Sequence, residues 1–150
     1  MQELVINTEY WAEEKGLIDV KLAPKQYLKA LEEIGETARA ILKNDKEQIV
    51  DGIGDICVTV IILAKQLSNK INMDINLNNK TDKNPFVTSI IFKQILTSFS
   101  LGWVDEDILS NIANLATNQG FTLEFCLQSA WNEIKDRKGK LINGTFVKES

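Results

Sequence analysis

Histidine is absent from the chain, which removes the usual general base near neutral pH and any site built on imidazole ligands. Cysteine is scarce: Cys57 and Cys126 stand far apart, each among apolar neighbours, with no CxxC spacing. A Cys/His zinc site is thereby excluded for a single chain, and both thiols are expected in the core. No apolar run approaches the ~20 residues of a membrane span. Met1-Gln2-Glu3-Leu4 is followed quickly by Glu9, Glu13 and Glu14 rather than by the apolar stretch of a signal peptide. The expectation is a cytoplasmic protein with no membrane partner. Positive charge is in deficit as well. A formal net charge of −4 argues against a general nucleic-acid binder, although phosphates can still be held locally.

What remains is the composition of one soluble globular domain spanning residues 1–150, with 44% hydrophobic and 25% charged residues. The two prolines, Pro24 and Pro85, each precede a long helical pattern, where a first-turn proline is tolerated. Helices are expected at about 7–15, 24–43, 46–69, 85–101, 105–119 and 122–138, punctuated by Gly16, Gly102, Gly120 and Gly139. In the second, Tyr27, Leu28, Leu31, Ile34, Ala38, Ile41 and Leu42 keep a 3.6-residue period. Asp45 is placed to cap the third. Residues 71–84, rich in Asn, Asp and Lys, read as an irregular arm, and Asn143-Gly144 is a turn signal. The fold class is all-α, an antiparallel helix bundle with extra C-terminal helices.

Asp55 sits where a carboxylate is least expected. It opens the run Asp55-Ile56-Cys57-Val58-Thr59-Val60-Ile61-Ile62-Leu63-Ala64, apolar on nearly every side. A buried carboxylate needs a cation, a proton or several donors. Asp51 lies one turn back on the same face, with Gly52 and Gly54 between. Two glycines inside a helix cost about 1 kcal/mol each against alanine, so close approach of another helix or a ligand is implied. The preceding helix offers Glu32, Glu33 and Glu36 within an arc of about 100°. A solvated polar face near Lys29, Arg39 and Lys43 would carry the same three glutamates. Antiparallel packing across a turn near Asn44 places Glu36 level with Asp51, roughly 10–12 Å from the turn, and Glu32 and Glu33 level with Asp55. Such an oxygen-only box suits Mg²⁺ or Mn²⁺, which keep waters and bind substrate phosphates.

Positive charge gathers at the far end of the chain, in Lys135, Arg137, Lys138 and Lys140. A cationic helix end is favourable for the dipole whatever the function. The functional alternative is a phosphate clamp reaching the acidic box.

Leu31-Glu32-Glu33-Ile34-Gly35-Glu36-Thr37-Ala38-Arg39-Ala40, followed by Asp51-Gly52-Ile53-Gly54-Asp55-Ile56, resembles the EExxE…ExxD signature of MazG-like nucleoside triphosphate pyrophosphohydrolases. Together with Trp11-Ala12-Glu13-Glu14-Lys15-Gly16-Leu17, the resemblance covers about residues 8–70. The segment from Trp131 through Phe146 looks like the basic closing segment of short phage and bacterial members. One departure stands out: Gly52 occupies the place of the usual Glu, with Asp51 one position earlier as its substitute.

The resemblance implies hydrolysis of nucleoside triphosphates, dNTPs above all, to monophosphate and pyrophosphate in nucleotide-pool house-cleaning. It implies Mg²⁺ held by Glu32, Glu33, Glu36, Asp51 and Asp55, with Glu33 orienting the attacking water. Lys135, Arg137 and Lys138 would bind phosphates and Asn132 the base or sugar. A homo-oligomer, dimer or tetramer, is implied too. The alternatives are a non-catalytic nucleotide-binding or regulatory protein on the same scaffold, motivated by Gly52, and a dUTPase- or dCTPase-type relative.

Overall fold

The computed structural model describes residues 1–77, 81–100, 104 and 107–149, the side chain of Ser100 excepted. The chain is predominantly helical: α1 (Gln2–Glu14), α2 (Ala23–Leu42), α3 (Lys46–Gln66), α4 (Pro85–Ser100), α5 (Ile108–Gln119) and α6 (Leu123–Ile134), closed by the strands β1 (Gly139–Ile142) and β2 (Thr145–Lys148). A 3-10 turn, Val20–Leu22, leads into α2.

Helix α3 is the axis of the molecule. From Gly52 to Ala64 every residue except the half-buried Asp55 is buried, and α1, α2, α5 and α6 all pack against it. A helix apolar on all sides is stable in water only when enclosed in this way. Asp45 caps it by accepting from the Gln48 backbone N–H at 3.2 Å, and Asn44 turns the chain at φ 54°. The two glycines have a steric reason. A Cβ at Gly54 would fall inside contact distance of the Cys126 carbonyl and the Ala130 methyl of α6. A Cβ at Gly52 would strike the Thr37 hydroxyl of α2. Larger residues would push both neighbours away from the axis.

Several expectations need correction. Helix α1 begins at Gln2 rather than near Asn7, burying Leu4, Val5, Thr8, Trp11 and Ala12. On α2 the anticipated apolar stripe is buried only in part: Ile34 is buried and Tyr27, Leu31 and Ile41 pack against the core, but Leu28 and Leu42 are exposed, whereas Ala30, Glu33, Thr37 and Ala40, outside the stripe, are buried. Small side chains let α2 lie close to α3, and that closeness, rather than apolar bulk, selects the inward face. Helix α6 stops at Ile134, four residues short of Lys138, and Gly139 opens a strand instead of ending a helix. The chain then forms an antiparallel hairpin pairing Gly139 with Lys148 and Ile142 with Thr145. Its Asn143-Gly144 turn has positive φ at both residues, 52° and 75°, the conformation that asparagine and glycine tolerate best. At Gly139 a Cβ would collide with the Val147 carbonyl.

Residues 71–77 and 81–84 carry no regular structure. Gly102 and the acidic start Asp105-Glu106 lie outside the described residues. Helices α4 and α5 form a second layer, linked by Thr88 Oγ1 donating to Asn118 Oδ1 at 3.0 Å. Among the described residues no helix is long and apolar enough to cross a membrane.

Candidate functional site

A cleft of about 660 Å³ is enclosed by one side of α2, the Asp55 side of α3, Trp11 of α1 with the turn that follows it, and the segment from the end of α6 into the hairpin. Lys25 holds the hairpin in place by donating to the Asn143 carbonyl oxygen. Along α3, Asp55, Thr59, Ile62 and Gln66 line the cleft, at the i, i+4, i+7, i+11 spacing of a single helical stripe.

Glu33, Asp55 and Arg137 share the cleft wall with Lys29 and the exposed Glu32. Glu33 is only 5% exposed and is neutralised by Lys29, whose ammonium lies 2.7 Å from Glu33 Oε1 and 2.8 Å from Glu32 Oε2. Burial alone would lower the Lys29 ammonium; its hydrogen bonds to both glutamates outweigh this and hold it above its ordinary value. Among the described residues Asp55 has no such cation in contact. Burial, then the nearby charges of Glu33, Asp51 and Glu133, push its carboxyl up to about 7, opposed only by Arg137. Asp51 is raised in the same direction, by burial first and then by Glu133 and Glu33. Its carboxyl lies within hydrogen-bonding reach of Glu133, yet Asp51 Oδ1 is buried with no partner among the described residues, and so is Arg137 Nε.

The structure thus gathers Glu33, Asp51, Asp55 and Arg137 from the sequence-based set. It leaves Glu36 exposed one turn along α2, with no hydrogen bond or ion pair among the described residues. Asn132, Lys135 and Lys138 are exposed and do not line the cleft. Asn132 instead accepts from Gln128 at 3.2 Å and Lys135 at 3.4 Å. The early end of α6 separates them, because only Arg137, past the last helical turn, folds back toward the acids.

Glu133 is the member that sequence reasoning passed over. No spacing links it to Asp51, about eighty residues earlier; only the seating of α6 against α3, permitted by Gly54, brings the two carboxyls together.

Four oxygen-donor groups with a buried, unpartnered Asp51 oxygen fit a hard divalent ion in chemistry. In the side-chain arrangement of the structure, no three Asp, Glu or Cys groups among the described residues already converge as ligands. Binding therefore requires the carboxylates to change rotamer.

Residues 23–84 match the family model of the MazG nucleotide pyrophosphohydrolase domain. The match falls on the acidic helix pair and the segment after it, so the likeness covers less than half of the chain. It is also similar to the uncharacterized 18.2 kDa protein in the rep-hol intergenic region of Haemophilus phage HP1, being 42% identical over 66 residues. That stretch is 44% of this chain and 40% of the phage protein, so the chain spans less than half of the relative's length. No solved structure matches the chain.

Proposed function

We propose that the protein is a Mg²⁺-dependent nucleoside triphosphate pyrophosphohydrolase acting on dNTPs. Water adds to the α-phosphorus, the bond from that phosphorus to the oxygen bridging to the β-phosphorus breaks, and nucleoside monophosphate and pyrophosphate leave. The observation that carries this reading is Asp55, insufficiently neutralised and set beside Glu33, Asp51 and Glu133 within a domain segment of matching type.

Glu33, Asp51 and Asp55 are the proposed metal ligands, with Glu32 and Glu36 at the rim to swing inward. Glu133 supplies the carboxylate that Gly52 lacks, since position 52 is occupied by the approach of Thr37. A divalent ion held there would neutralise phosphate charge and lower the pKa of a coordinated water. Glu33, released from Lys29 as that ammonium turns to substrate, orients the water and accepts its proton. Arg137 binds phosphate oxygens through its buried, unpartnered Nε and the rest of its guanidinium. Lys135, Lys138 and Asn132 serve, in this reading, only as an outer electrostatic approach. Exposed apolar residues on α1 and α4, such as Ile6, Tyr10, Phe86 and Ile90, support association into a homo-oligomer.

Incubation with each dNTP and Mg²⁺, followed by pyrophosphate measurement, tests the proposal. Release of pyrophosphate that vanishes in Asp55→Asn, with the helical circular dichroism retained, is expected. Full activity in that variant would falsify it. A second reading, nucleotide binding without turnover, is favoured by Gly52; tight binding without pyrophosphate release would select it. The base profile of the same panel separates a dUTPase- or dCTPase-type activity from a general one.

A further inference from the structure

Among the described residues two more buried polar atoms have no partner, and both belong to side chains lining the cleft away from its acids: Trp11 Nε1 and Gln66 Oε1. Trp11 is 7% exposed and Gln66 4%. Gln66 lies eleven residues beyond Asp55 on the same stripe of α3, about 16 Å along the axis at 1.5 Å per residue. Its amide is oriented by Nε2 donating to the Leu17 carbonyl at 2.8 Å, which turns Oε1 away from that bond and leaves it unsatisfied. The Trp11 ring is held edge-on against Phe146 of the hairpin, centroids 5.8 Å apart. Around them the wall is apolar: Leu17, Ile62 and Phe146.

One unmet donor and one unmet acceptor in an apolar enclosure are each unfavourable when left unpaired. A flat heterocycle carrying an acceptor and an N–H satisfies both and buries its faces against the apolar wall. We propose that this end of the cleft is a nucleobase-recognition site, with Trp11 Nε1–H donating to a base acceptor and Gln66 Oε1 accepting from a base N–H. The inference rests on the nucleotide reading above and deepens it by assigning the specificity-determining pair. Phosphates fit the acidic, metal-binding end; a polyphosphate alone has no N–H to offer Gln66.

The test uses the full chain, ¹⁵N-labelled and metal-free, with the Trp11 indole signal identified among the three tryptophans by its loss in Trp11→Phe. Nucleosides without phosphate are titrated, with inorganic tripolyphosphate in the presence of Mg²⁺ as the other arm. Saturable movement of the Trp11 indole signal by at least one nucleoside is expected. Trp11→Phe should weaken nucleoside affinity about tenfold, the equivalent of one hydrogen bond, while tripolyphosphate affinity stays unchanged. Gln66→Met should flatten the differences between bases. A silent indole signal up to the solubility of every nucleoside overturns the proposal, as does an equal loss of tripolyphosphate binding in Trp11→Phe. If Trp11→Phe does not fold, its signal is assigned by backbone-correlated spectra and the wild-type titration decides. Indole movement without pyrophosphate release in the enzyme assay leaves base recognition standing and removes hydrolysis. Pyrophosphate release with a silent indole does the reverse.

Discussion

Glu33 on α2 and Asp55 on α3 stand within electrostatic reach of each other, yet their surroundings differ. Glu33 is almost fully buried and has an ammonium at 2.7 Å. Asp55 is half-buried, has no cation in contact among the described residues, and is pushed up to about 7 by burial and its acidic neighbours. The more deeply buried acid is the one with a counter-charge, so burial alone does not decide how each is neutralised. The helices behind them differ in the same sense. On α2 the cation comes from the same helix, one turn earlier, so its buried acid is satisfied locally. Helix α3 between Gly52 and Ala64 contains no Lys or Arg, so its acids depend on what other elements or a ligand supply.

The contrast is tested most severely by Asp55→Asn, which removes the acid without changing its shape. A loss of at least about 10³-fold in pyrophosphate release is expected, of the size seen when a group acting in the transition state is removed. Retention of activity would place the chemistry elsewhere. Next comes Gly54→Val. Because a Cβ there meets the Cys126 carbonyl and Ala130, urea unfolding should show a loss of about 3 kcal/mol or more, at the upper end of overpacking costs. An unchanged midpoint would mean that α6, and Glu133 with it, is not seated against α3.

The pH dependence of stability follows from the same acid. In the unfolded chain Asp55 ionises near its ordinary 3.8, and in the folded chain near about 7. Between those values the folded state holds the extra proton, so its contribution to stability falls as pH rises and is constant above about 7. For the metal-free protein, unfolding free energies from urea curves at pH 5 and pH 8 should differ by on the order of 1–3 kcal/mol from this group after solvent screening. Asp55→Asn should remove that part of the slope, and saturating Mg²⁺ should raise the pH 8 midpoint in the wild type only. A slope identical in both proteins would locate the titrating group elsewhere.

Lys29→Met addresses the other half of the comparison. It leaves Glu33 buried without its cation and should cost about 1–2 kcal/mol, read by the same unfolding curves. The smallest effect is expected for Glu36→Gln: within about 0.5 kcal/mol in stability, since its carboxylate is exposed and unpaired among the described residues. Its Mg²⁺ midpoint in a thermal-shift titration should nonetheless rise several-fold, because the proposed role begins only when the ion binds.

Much of this was visible from one dimension. Helix periodicity, capping by Asp45 and the Asn143-Gly144 turn depend on residues close in the chain, and local patterns report local structure. Asp55 betrayed itself by being acidic in an apolar run. Glu133 had no such signature, because its environment is made by α3, a helix about eighty residues earlier in the chain. The buried face of α2 misled for a related reason: the apolar pattern points to Leu28 and Leu42, but the small residues that allow α3 to approach are elsewhere on the helix.

The order of amino acids alone was enough to specify a bundle of helices, the two acidic groups and their common height across the Asn44 turn, since these follow from 1.5 Å per residue and a 3.6-residue repeat. Which carboxylate finds a cation, which stays unneutralised, and which side chains from α1, α6 and the hairpin close the cleft were decided by packing in three dimensions. Electrostatic and steric interactions act through space, and their strength is set by distances and burial that no linear pattern encodes.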